Sequence, residues 1–559
     1  MTDRKMIILG KSVDENGNDW KVGVPLPDFQ THAVVFGSTG SGKSTFLRNL
    51  AVQTFGLGAT TCIVEPHGDL CLDVLDAVPQ NALDKAVYLS LDSVQPFSLP
   101  LMTIGLGAGL DVAVGAVMSV LRMAEPASWD QSARTREILR HVIRVLLDVQ
   151  GWQASLLSLD RFLTKKETKF REQILAQVSE ENTRSGDYCL HEVAPALDDV
   201  KGKAGMMDSI LAAHRRLEVF ITDLRFRRSL ALPPLGPRIS LPELMRGGKM
   251  VLLPVNSAAL GKQPAELLSM MFMQMVATAF LSRTDRSQRQ QAVVIIDEFA
   301  GMAGGASGGG EVAEIVDVIL REGRKFGASQ ILATQSVNQL SPEVKKNLQV
   351  NTNTKIVLLV SDVDDARDAA NILGSDLISD VDIRSMPKFH GYVRAMVNKS
   401  PKPPALLQML PPMSLAEGEG SAHPYPEKPL VSDVWSKVRE LAATADDPMR
   451  PAGADAVVRF LRGVNETTWL QIVADAGAWN RHHAALFLAE PKREPDKIER
   501  AKKISRLIYG LPWWLREAHF WREAKGDHQE KSQSSSPTTA AGEDEKLTPE
   551  ARAEEGFDE

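Results

Sequence analysis

The sequence predicts an α/β protein: a mostly parallel sheet wrapped by helices, interrupted by an all-α insertion and followed by a C-terminal helical module. Three observations predict this. Short β-branched runs alternate with longer helical patterns, as in a parallel sheet with crossover helices. Between Gly109 and Ala231 the alternation stops, and runs such as TREILRHVIRVLLDV and ILAAHRRLEVFITDLRFRR are helical throughout. Beyond a stretch with eight prolines between Pro401 and Pro429 lie six of the nine tryptophans and a helical pattern.

In chain order, ILG and WKVGVPL around the turn-forming Asp14–Asn18 read as a small hairpin flanking the sheet. Seven strands follow: HAVVF (32–36), TTCIV (60–64), AVYLS (86–90), MVLLPV (250–255), AVVIID (292–297), QILAT (330–334) and TKIVLLV (354–360). Most are near-continuous apolar runs, as expected of strands covered on both faces. Residues 1–108 and 232–400 make the two parts of the core, with 109–231 the insertion and 401–430 a stiff proline-rich linker. Residues 431–524 make the helical module, where Trp514, Ala518 and Trp521 fall at i, i+4, i+7. The acidic stretch 525–559, rich in Ser, Thr and Glu, is expected to be disordered.

Composition excludes several classes. The 559 residues carry 64 basic and 71 acidic side chains, a formal charge of −7. Ten acidic and three basic residues lie between Gly526 and Glu559, so the rest of the chain is balanced and an acidic pI does not argue against a nucleic-acid partner. Three cysteines (Cys62, Cys71, Cys189) with no metal spacing exclude a disulfide framework and fit a reducing cytoplasm. The longest charge-free apolar stretch, Leu267 to Leu281, is 15 residues, short of the roughly 20 that span a bilayer. It reads as a buried core helix, and no signal peptide is visible.

Gly37-Ser38-Thr39-Gly40-Ser41-Gly42-Lys43-Ser44 fits GxxxxGK[ST] between a strand and a helix that opens at Thr45. Glycines let such a loop wrap a phosphate, and its N–H groups join the helix N-terminus in an anion site. Lys43 would reach the β- and γ-phosphates, and the Ser44 hydroxyl would ligate Mg²⁺. The strand VVIID ends in Asp297-Glu298: Asp297 would hold the Mg²⁺ shell and Glu298 would polarise the attacking water, a helix cap being the bland reading of Asp297. Gln335 follows QILAT at the carboxyl end of a strand, where ligands bind in such sheets, and is the candidate γ-phosphate sensor beside ordinary loop polarity. REGRKFG (321–327) offers Arg324, with Arg321 as alternative, as a phosphate-directed cation acting in trans; compensation of the helix dipole is its plain reading.

Together these motifs, with VEPHGD after the second strand, LLPVNSAALG and NTNTKIVLLVSDVDDARDAANILG, resemble the HerA/FtsK branch of P-loop ATPases. Within that branch the chain resembles the TraG/TraD-like conjugative coupling proteins of type IV secretion, over about Ile7–Val397. The resemblance implies a RecA-like core using ATP and Mg²⁺, a hexameric ring, and DNA pumped through a central channel without reading sequence. It also implies secretion-machine or relaxosome-type protein partners. Because membrane-bound relatives carry N-terminal transmembrane helices and none is seen here, a cytoplasmic protein, at most peripheral at the inner membrane through a partner, is expected. A HerA-like motor in repair or phage defence, or an ATPase remodelling protein, are the alternatives. Glu65 stands where the family usually has Asp. Arg225, Arg227, Arg228, Lys345 and Lys346 are candidate phosphate contacts, a solvated surface being the plain reading of each.

Overall fold

The computed structural model describes residues 6–13, 18–91, 97–198, 204–235, 239–281, 283, 290–303, 309–397, 400–415, 426–442 and 451–522. The stretch 525–559 and part of the glycine-rich run 301–310 lie outside the described residues.

All seven apolar runs are strands, and they form the parallel part of one sheet. The strands are β1 (Met6–Val13), β2 (Asp19–Pro25), β3 (Ala33–Phe36), β4 (Thr60–Glu65), β5 (Ala86–Tyr88) and β6 (Met250–Pro254). They continue with β7 (Ala292–Ile296), β8 (Ala328–Thr334), β9 (Thr354–Leu358), β10 (His390–Arg394) and β11 (Ala405–Gln408). Their order is β2-β1-β11-β10-β9-β3-β8-β7-β4-β6-β5. From β9 to β5 every pairing is parallel; β10, β11, β1 and β2 extend the sheet antiparallel.

The apolar runs are continuous because both faces are covered. Val34, Phe36, Cys62, Val64, Val294 and Ile296 enter one core, while Ala33, Val35, Ile63, Val293 and Ile295 enter the other. Helices α1 (Lys43–Gly56) and α2 (Asp69–Ala77) cover the second face. The first face is covered by α3 (Lys262–Leu281), the apolar helix seen in the sequence, and by the helices between Leu110 and Ala231, which share its core. Among the described residues no helix is long and apolar enough to cross a membrane.

Strand β11 lies inside the stretch read as a proline-rich linker. Only Leu407 of its four residues is buried, so it lacks the continuously buried pattern of the core strands, yet it pairs with β10 (Gly391 opposite Leu407). The chain after it straps α1: the Asn49 amide donates to the carbonyls of Leu410 (3.2 Å) and Pro411 (2.9 Å) and accepts from Met413 N (2.8 Å).

The tryptophan-rich module has its own small core, in which Trp435, Trp469, Trp514 and Ala518 are buried, and it is docked rather than detached. Helix α4 (Lys497–Tyr509) lies along the edge strand β5, where Tyr88 N donates to Ser505 Oγ (2.9 Å). This protects a sheet edge that would otherwise pair freely. The fully buried Arg516 donates to the carbonyls of Phe97 (3.4 Å), Arg228 (2.5 Å) and Leu232 (3.2 Å), tying the module to the core.

Candidate active site

In a parallel sheet the carboxyl ends of neighbouring strands open on one crevice. The loops after β3, β7 and β8, three adjacent strands, meet there. The loop after β3 turns back through Gly40 (φ +78°) and Gly42 (φ +101°), conformations that a side chain would strain. Gly42 then caps α1, so the first amides of that helix face the crevice. Gly37 is needed for a different reason: a Cβ there would lie 2.5 Å from Ser41 Oγ. Gly37 and Ser41 therefore pack beneath the loop, and Ser41 is buried. Ser38, Thr39, Gly40, Gly42, Lys43, Ser44 and Thr45 line a cavity of about 450 Å³ together with Asp297, Glu298 and Gln335.

The side chains form one connected cluster. Lys43 Nζ lies 2.7 Å from Asp297 Oδ1 and 2.5 Å from Glu298 Oε1. Gln335 Nε2 donates to Glu298 Oε1 (2.5 Å), and Gln335 Oε1 accepts from the Thr39 hydroxyl (2.6 Å). Asp297 is 6% exposed; burial pushes its carboxyl above the usual range, and the Lys43 ammonium pulls against that. Its backbone N–H donates to Val64 O of β4 (3.1 Å), which fixes the carboxylate at the strand end. Glu298 adopts a left-handed φ of +52°, rare for a residue with a side chain, and this swings it from the strand line into the crevice.

Glu65, at the end of β4, is 3% exposed and accepts a hydrogen bond from Cys71 N (3.1 Å). Burial raises its pKa, the amides of Cys71, Leu70 and Gly68 oppose the rise, and the Asp297 charge adds to it. Its carboxylate thus holds the start of α2 against the site, a role that the sequence pattern did not disclose. His67, Asp69 and Asp73 reach the same rim. So does Phe389, whose segment KFHG carries no recognised motif.

The donor set fits a divalent ion with a triphosphate. Ser44 and the Asp297 carboxylate face one cavity, hard oxygen donors of the kind Mg²⁺ takes, beside amides that favour an anion.

Arg324 is elsewhere. It is exposed on the turn Gly323–Phe326 before β8, whereas Gln335 follows the other end of that strand, ~23 Å away at about 3.3 Å per residue. The turn is anchored by the buried Arg283, which donates to Phe326 O (3.2 Å). Arg321 pairs with Asp317. Four of the five cations considered for DNA are engaged within the chain: Arg225 with Asp223, Arg227 with Glu517, Arg228 over the Trp513 ring (3.7 Å) and Lys345 with Asp368. Lys346 is exposed.

Two family models match the chain. Residues 7–263 match the helicase HerA central domain, and residues 219–399 match the type IV secretion-system coupling protein DNA-binding domain. No curated protein matches. Similar solved structures include the plasmid coupling protein TrwB in complex with ADP and Mg²⁺ (19% identity, 73% of this chain, 91% of that one, TM-score 0.48). They also include VirB4 of Thermoanaerobacter pseudethanolicus (14% identity, 74% and 97%, TM-score 0.47). The parallel sheet with its glycine-rich phosphate loop carries both family patterns, and the chain resembles the HerA/FtsK-type P-loop ATPases, the coupling proteins of type IV secretion among them.

Proposed function

We propose that this chain is an ATP-driven DNA translocase, coupling-protein-like, that feeds DNA to a conjugative or type IV secretion machine. The cluster joining Lys43, Asp297, Glu298 and Gln335 at the carboxyl ends of three parallel strands carries this reading. A triphosphate on the loop competes for the Lys43 ammonium, which then serves the phosphates instead of the carboxylates. Asp297 and Ser44 would hold Mg²⁺, which neutralises phosphate charge when bound. Glu298 orients and polarises the attacking water, and Gln335 links that base to the loop through Thr39. Motor work requires neighbours: a hexameric ring would set each nucleotide at a subunit boundary. Arg324, too far from its own site, would then serve the next subunit's γ-phosphate.

DNA as cargo is supported by the match of residues 219–399 to a coupling protein DNA-binding domain. Contacts would be to phosphates, with few cations per subunit because six copies line one channel. Secretion-machine or relaxosome-type proteins would be the partners, met from the cytoplasm or at the inner membrane. The match of residues 7–263 to HerA favours a second reading, a cytosolic motor working in repair or phage defence.

The test is the ATPase rate with and without single- and double-stranded DNA across a salt series. Stimulation that fades with salt supports a DNA motor. A rate indifferent to DNA overturns it in favour of protein cargo.

A further inference from the structure

We infer that Phe389 is the stacking platform for the nucleobase, and that the site therefore accepts purines without telling them apart. The inference rests on the nucleotide-site reading above and goes beyond it. Phe389 is 54% exposed yet lines the same cavity as the phosphate loop. Its ring lies over that loop: a Cβ built on Gly42 would stand 2.9 Å from Phe389 Cδ1. Its backbone has φ +60°, an outlier for a bulky side chain.

That conformation is imposed from outside the residue. Phe389 O accepts from Met409 N (2.7 Å), His390 N donates to Pro387 O (3.2 Å), and the β10–β11 pairing begins at once with His390 opposite Gln408. An ordinary surface position would relax to negative φ. Here the hairpin holds an apolar ring out of the core, beside an anion seat. Strained residues over-determined by their surroundings gather at ligand clamps. The chemistry that fits is a flat, apolar-faced group attached to phosphates, and a nucleoside triphosphate supplies it. A phenyl face has no hydrogen-bonding edge, and stacking is tolerant of base identity.

The experiment measures dissociation constants of the full-length protein for ATPγS, GTPγS and inorganic tripolyphosphate. Phe389→Asn removes the ring but keeps a residue that tolerates positive φ. It should weaken both nucleotides about tenfold or more and leave tripolyphosphate unchanged. Phe389→Tyr should restore both. Unchanged nucleotide affinity in Phe389→Asn overturns the inference, and so does an equal loss for tripolyphosphate, which would mean that the ring only shapes the loop. Lys43→Ala separates failure of the base platform from failure of the phosphate seat. If it leaves all three affinities intact, the phosphate seat itself is misassigned.

Discussion

Gln335 donates to Glu298 at 2.5 Å while accepting from Thr39, so one amide spans the phosphate loop and the carboxylate proposed to activate water. The three residues stand at the ends of three neighbouring strands, and a shift of the loop on γ-phosphate contact must move the amide that positions Glu298. Gln335→Ala is expected to lower kcat with little change in ATP affinity. Equal loss of both would make Gln335 a binding residue only.

Lys43→Ala removes the cation shared by Asp297 and Glu298 and, with it, the proposed phosphate contact. Hydrolysis should fall by about 10²–10³ or more, the usual consequence of losing a charge-stabilising donor. Glu298→Gln should bind ATP normally and turn over slowly. Wild-type turnover in Glu298→Gln would show that another group activates water.

Arg324→Ala should bind ATP, melt within a few degrees of the parent and hydrolyse very little. An arginine acting across a boundary can contribute about 10³–10⁵ in rate, whereas an exposed turn charge contributes little to stability. Rings mixed from Arg324→Ala and Lys43→Ala subunits should recover part of the activity. If demonstrably mixed rings recover none, the trans assignment fails.

Acid should destabilise the core through His32. Burial holds its imidazole near a pKa of about 4, against 6.5 for the unfolded chain. The unfolded state therefore binds a proton that the folded state refuses. This contribution is complete above about pH 6.5 and is lost as pH falls toward 4, by about 3 kcal/mol at most. His32 also sits at φ +59° and accepts from Gln330 N (3.0 Å). His32→Asn, which tolerates that φ and keeps an acceptor, should flatten the fall of stability between those pH values in denaturant titrations. An unchanged slope would move the effect to other groups, such as His519, also held near 4.

Arg516→Met leaves the carbonyls of Phe97, Arg228 and Leu232 without their shared donor. At about 1–3 kcal/mol for each buried group left unpaired, a marked drop in Tm is expected, with faster proteolysis between the module and the core. A Tm within a degree of the parent would show that the docking rests on apolar packing alone.

The parallel strands and the phosphate loop are legible in the sequence, because both are local: continuous apolar runs need both faces covered, and the glycine spacing with Lys43 is written in eight consecutive residues. It also made Asp297-Glu298 visible, since carboxylates end an apolar strand. What these groups touch follows from the order of strands in the folded sheet. Lys43 and Asp297 are 254 positions apart and meet because β3 and β7 flank β8. Strand β11 is not legible in the sequence because it buries one side chain among prolines and exists through pairing with β10. The same pairing sets Phe389 over the loop. Arg324 and Gln335, eleven residues apart in the chain, were separated for the plainest reason: an extended strand lies between them.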